Sequence, residues 1–174
     1  MLFHQKPDGT FEEVPIELGI DFKHAHGVTV ADFDRDGDLD VVLGQSLMRC
    51  NLTPTECYKT EEVHVFRNDL AQANYVQLAL EGSGGSNRSA IGARVWVTAG
   101  GVTQMAEVGG GYSLFGAQND LVLHFGLGSA CAIDEIKVRW PDGALTTQNW
   151  NNVRANYLVK LTQGQDKPGY PLVK

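Results

Sequence analysis

The chain has 174 residues, of which 43% are hydrophobic and 20% charged, and a formal net charge of −7. That length suits one or two small domains with a real core, and an acid excess without any Lys/Arg cluster argues against a nucleic-acid partner. No apolar run approaches the roughly 20 residues that span a bilayer, whereas 20 glycines among many short apolar runs point to tight turns joining short strands.

In chain order, Met1-Leu2-Phe3-His4 has neither the basic start nor the long apolar run of a signal peptide. This fits a cytoplasmic protein or a piece whose export signal lies elsewhere. His24 and His26 have the spacing of two metal ligands on one strand face, with Asp21 nearby, although histidines in a loop ahead of a strand are the simpler reading.

The run Asp32-Phe33-Asp34-Arg35-Asp36-Gly37-Asp38-Leu39-Asp40 carries the clearest chemistry. Aspartates at alternate positions of a curling loop can turn inward together. Calcium, a hard cation, takes about six to eight oxygens at about 2.3–2.6 Å. Gly37, sixth in the run, supplies a bend that a residue with a Cβ resists. Asp32, Asp34, Asp36 and Asp40 are expected to give carboxylates, and Asp38, seventh, its backbone carbonyl. An EF-hand needs a bidentate Glu at position 12, where Leu43 stands, and a helix on each side. Strand-like Val28-Thr29-Val30 and Leu39 to Leu43 flank the loop instead, so it reads as a β-hairpin calcium site. The plain alternative is a solvated acidic turn, but crowded carboxylates repel one another strongly without a cation.

Cys50 and Cys57 bracket a short polar loop, where a local disulfide and two unpaired thiols both fit; Cys131 reads as a small buried residue. From residue 75 onward the hydrophobic period is two. Val76, Leu78 and Leu80 share one strand face, as do Ile91, Ala93, Val95 and Val97 on the next. Gly100-Gly101 is a two-residue hairpin turn, with a return strand over Val102 to Val108. Leu121 to Phe125 and Ile136 to Trp140 alternate similarly, Pro141-Asp142-Gly143 turns the chain back toward Ala144 to Trp150, and Tyr157, Val159 and Leu161 line a last strand. No stretch of ten residues shows clean helical periodicity, so the fold class is all-β. Gly82 to Ser86 reads as a loop inside this region.

Ser113, His124 and Asp120 can be assembled on paper into a triad, but no nucleophile elbow accompanies them. No catalytic residue is assigned, and His124 reads as an ordinary strand residue. Trp96, Trp140, Trp150, Tyr112 and Phe115 offer rings that could stack on sugars if exposed; Trp96 points away from the apolar face of its strand, whereas Trp140 shares its face with Ile136 and Val138 and reads more simply as core.

Asp32 to Gly44 (DFDRDGDLDVVLG), with its flanking strands, resembles the FG-GAP or VCBS repeat, the calcium-loop blade of integrin-type β-propellers. Leu2-Phe3 with Asp8-Gly9-Thr10-Phe11 looks like the end of a preceding repeat, and Val65-Phe66-Arg67-Asn68-Asp69 like the strand that closes one. Residues 71 to 163 resemble the ASPIC/UnbV domain of the cartilage acidic protein-like family. The resemblance rests on Asn87 to Val95, Glu107-Val108, Gly109 to Tyr112, Gln118-Asn119-Asp120, His124 to Gly128 and Val138 to Gly143. It implies an exported, extracellular or periplasmic protein.

The expectation is therefore a partial-propeller calcium repeat over residues 1–70, a β-sandwich or jelly-roll-like domain over 71–165 and a polar tail over 166–174. Its function would be a non-catalytic calcium-binding module for adhesion, matrix assembly or binding of an extracellular protein or glycan. The alternative is the C-terminal accessory part of a larger exported enzyme, carbohydrate-active in kind.

Overall fold

The computed structural model describes residues 2–14, 20, 25–45, 62–69, 73–109 and 118–171. These residues contain twelve β-strands and no helix, as the period-two pattern anticipates. No described helix is long and apolar enough to cross a membrane.

Strands β1 (Phe3–Gln5) and β2 (Phe11–Glu13) form a small antiparallel hairpin. Its turn is tied by Asp8, whose Oδ1 accepts from both the backbone N–H and the hydroxyl of Thr10. Strands β3 (Ala25–Ala31), β4 (Asp40–Gln45) and β5 (Val63–Phe66) form an antiparallel sheet in that order, with the acidic run as the β3–β4 connection. The strands expected on either side of the loop are thus present, and Val63 to Phe66 closes the sheet against β4.

The remaining strands build two sheets face to face. One is antiparallel, in the order β11 (Thr147–Arg154), β10 (Ala132–Arg139), β7 (Arg94–Ala99), β8 (Val102–Glu107). The other has the order β12 (Leu158–Thr162), β6 (Asn74–Glu81), β9 (Leu123–Gly128), with β12 parallel to β6. Alternation decides which side chains meet between them. Val95, Val97, Ile136 and Val138 come from the first sheet; Val76, Leu78, Phe125, Val159 and Leu161 come from the second, and all are buried in one cluster. Each such side chain contributes on the order of 1.5–3 kcal/mol when withdrawn from water. Trp140 and Trp150 complete the cluster in an edge-to-face pair, ring centroids 6.5 Å apart.

The Gly100-Gly101 hairpin forms as expected, with φ of 56° and 79° at its two glycines. Pro141 to Thr146 reverses the chain between β10 and β11. Buried Asp142 holds that reversal by accepting from the Thr146 N–H at 2.9 Å, from the Thr146 hydroxyl, and from Gln163 Nε2 at 2.8 Å. Gly82 to Ser86 is a loop between β6 and β7, pinned by Ser83, whose N–H donates to Gln163 Oε1 at 2.9 Å.

Three expectations are corrected. Ile91 does not continue the inward face of β7; it lies in a turn ahead of Arg94 and is 40% exposed, because the chain bends at Gly92 (φ 93°). Cys131 is exposed rather than buried, since it stands in the short connection between β9 and β10. Tyr157 is also exposed, just before β12, where its ring meets Tyr170 edge-on.

Candidate metal centre

The β3–β4 loop folds around its own first carboxylate. Asp32 Oδ1 accepts the N–H of Asp36 at 3.1 Å and Asp32 Oδ2 accepts the N–H of Gly37 at 3.1 Å, which curls the intervening residues into one turn. Arg35 and Gly37 make that turn with φ of 64° and 101°. Glycine is required at 37 for a second reason, because a Cβ there would collide with the Tyr75 ring. At the far end, Asp40 is buried and joins three segments. Its Oδ2 accepts from Phe33 N–H and its Oδ1 from Asn68 N–H, each at 2.9 Å.

Asp32, Asp34 and Asp40 each present an oxygen, and these oxygens all lie within 4.8 Å of one another. Two oxygens on opposite sides of one calcium are separated by about 4.6–5.2 Å, twice the usual bond length, so the trio fits a cation of that size. Asp36 stands outside the trio and accepts the Asp38 N–H at 2.9 Å with its Oδ1. Asp38 Oδ2 is buried with no hydrogen-bond partner among the described residues. Partial burial and the neighbouring carboxylates of Asp36 and Asp40 raise the Asp34 pKa above the usual carboxylate range, against the opposing pull of the Asp36 N–H and Arg67. Three carboxylates converging on one tight turn form a donor set suited to a hard divalent cation.

The outer side of the loop rests on the three-stranded sheet of the sandwich. Gln77 Nε2 donates to Asp32 Oδ2 at 2.6 Å. His124 Nε2 bonds the Gly37 carbonyl at 2.7 Å; a carbonyl only accepts, so this nitrogen carries the proton. Asn119 Oδ1 accepts the Val30 N–H at 3.1 Å. A cleft of about 340 Å³ lined by Asp32, Arg35, Leu39, Gln77, Asp120 and His124, among others, runs along this junction. Residues 82–168, half of the chain, match the family described as ASPIC and UnbV.

The chain belongs to the ASPIC and UnbV family.

Residues 1–43, which include the acidic loop, match the FG-GAP-like repeat. A stretch of 45 residues is 49% identical to cartilage acidic protein 1 of Homo sapiens, and stretches of the same length are 47% identical to the proteins of that name from Xenopus tropicalis and Mus musculus. Each match covers 25% of this chain and 7% of the relative's length.

Of the paper triad, His124 and Asp120 lie among the described residues, and both are engaged elsewhere. His124 is committed to Gly37 and stacks on Tyr75, ring centroids 5.6 Å apart, while Asp120 Oδ1 accepts the Val122 N–H at 3.0 Å. Ser113, Tyr112 and Phe115 lie outside the described residues, as do Asp21, His24, Cys50, Cys57 and the side chain of His26. Of the tryptophans, Trp140 and Trp150 are buried, and Trp96 is half-buried on the outer sheet face with Lys137 Nζ 5.8 Å from its ring centroid. Tyr75, Gln77, Asn119 and His124 are the site neighbours, none of which the sequence alone placed at the acidic loop. The visible signal was polar residues on the outward side of apolar strands, above all His124 in Leu-Val-Leu-His-Phe.

Proposed function

We propose that this chain is a calcium-stabilised, non-catalytic module of an extracellular protein, acting in adhesion, matrix assembly or binding of a protein or glycan. Its parts are a repeat over about residues 1–70 and a sandwich over about 71–165. The observation that carries this reading is the convergence of Asp32, Asp34 and Asp40 oxygens within 4.8 Å on a glycine-kinked β3–β4 turn. A bound calcium ion would neutralise that charge and fix the loop, so ion binding contributes directly to local stability. Support for the extracellular setting comes from the FG-GAP-like match and from the partial similarity to cartilage acidic protein 1. The non-catalytic reading is supported by the commitment of His124 and Asp120 to structural contacts.

Titration calorimetry of the purified chain with calcium chloride tests the metal, with magnesium chloride as the comparison. Saturable calcium binding, weaker for magnesium and abolished in Asp34→Ala, is the expected result. Binding that Asp34→Ala leaves unchanged would reject the assignment. A protein and glycan binding screen with and without chelator then tests the role as a module, with calcium-dependent capture expected.

A further inference from the structure

Three side chains of the sandwich meet the outside of the acidic loop, and they form one patch. Gln77 and His124 are directly opposed across β6 and β9, and the Tyr75 ring lies nearly parallel to that of His124, 10° between planes. All three are only partly buried and stand on the outer face of the sheet, away from the core cluster. Their contacts are specific to the geometry of the turn. Asp32 Oδ2 receives the Gln77 amide as well as the Gly37 N–H, so both donors fix the orientation of the first carboxylate. The Gly37 peptide is held at both ends, its N–H by Asp32 and its carbonyl by His124, and it immediately precedes Asp38. Tyr75 occupies the space that any side chain at position 37 would need.

We propose that Gln77 and His124 are positioning residues for the cation, so that ion binding to the repeat and docking of the repeat on the ASPIC/UnbV domain are one coupled equilibrium. This rests on the calcium reading above. The physical basis is twofold. A carboxylate whose orientation is set by outside donors keeps its remaining lone pairs aimed at the centre of the loop, and those donors offset part of the repulsion among the aspartates. By reciprocity, whatever factor docking adds to the affinity for the ion, the ion adds to docking. The repeat's ion then acts at the junction as well as inside its own hairpin.

Calcium titration of the full chain, wild type against Gln77→Met and His124→Phe, tests the coupling. Gln77→Met keeps length without a donor, and His124→Phe keeps the ring on Tyr75 without its N–H. Loss of an outer-shell partner lowers metal affinity about 10- to 100-fold, and each variant is expected to fall in that range. In chelator, melting of the sandwich core should stay unchanged, because neither side chain belongs to it. His124→Gln, which restores a donor at similar reach, should recover most of the affinity, a rescue that a purely packing role would not give. Wild-type affinity in both Gln77→Met and His124→Phe would overturn the coupling while leaving the calcium reading intact. No calcium binding by the wild type would overturn both. Should one variant fail to fold, the other, on the neighbouring strand, carries the same expectation.

Discussion

Strands β6 to β12 enclose a core in which Val76, Leu78, Val95, Ile136, Val138, Val159 and Leu161 are fully buried. In β3 to β5, Leu43 is the buried hydrophobic residue among those described, and Val63 and Val65 of β5 are 70% and 64% exposed. The sandwich is held by apolar area withdrawn from water. The repeat is held by carboxylates accepting backbone N–H groups, by three ladder pairings and by its contact with the sandwich. A region that buries so few apolar side chains among its described residues draws its stability from charge compensation and from a neighbour. Its persistence should therefore follow the ion, whereas that of the sandwich should not.

The largest effect should come from the core. Ile136→Ala is expected to cost about 2–5 kcal/mol, read by urea denaturation, with the same loss in calcium and in chelator. A calcium-dependent loss would mean that the sandwich shares the repeat's dependence. Next, Asp40→Ala removes the acceptor for Phe33 and Asn68 and leaves two partly buried N–H groups unpaired, at about 1–3 kcal/mol each. Hydrogen exchange should quicken in residues 27–44 and 63–66 while β7 and β10 stay protected. Equal acceleration in both regions would erase the distinction between them. Gly37→Ala forces a side chain into the left-handed region, at about 1–2 kcal/mol, and displaces Tyr75; calorimetry should show weaker calcium binding with the core melting transition unmoved.

Acidification gives the smallest and most discriminating effect. The surroundings of Asp34 raise its pKa, so it takes up a proton before an ordinary aspartate as pH falls, and calcium affinity should decline with it. In chelator the sign reverses, because protonating a carboxylate whose pKa is raised on folding favours the folded form. Asp142 is the opposite case. The Thr146 hydroxyl, the Thr146 N–H and Gln163 hold its pKa below the usual value, against the effect of burial. Its contribution is present above the unfolded carboxylate pKa and is lost as pH falls through the lowered one. Asp142→Asn should thus melt slightly below wild type at neutral pH, and the gap should close in acid.

Much of the sandwich was legible because the period-two pattern names the inward residues directly, and Val95, Val97, Ile136 and Val138 are buried as it requires. The Gly100-Gly101 turn was legible because two successive glycines suit positive φ. The acidic loop was legible because spacing and sign are local properties of nine residues. Pairing between distant strands was not. Nothing in Tyr157 to Leu161 says that β12 lies parallel to β6, and alternation tells that Gln77 and His124 face outward without telling what rests on them. Ile91 and Cys131 were misplaced for a related reason, since a turn can interrupt an apolar run without leaving a break in its composition.

The parallel pairing of β6 with β12 orders events during folding. Leu158 aligns with Gln77 and Thr162 with Glu81, so contacts spanning some eighty residues must close before β6 has neighbours on both sides. Joining such distant segments is slow compared with forming a hairpin. Because β6 also bears Tyr75 and Gln77, the platform beneath the acidic loop matures only when the last strand arrives. The β3–β4 hairpin, made before β6 in a growing chain, therefore waits for β12 before it can seat.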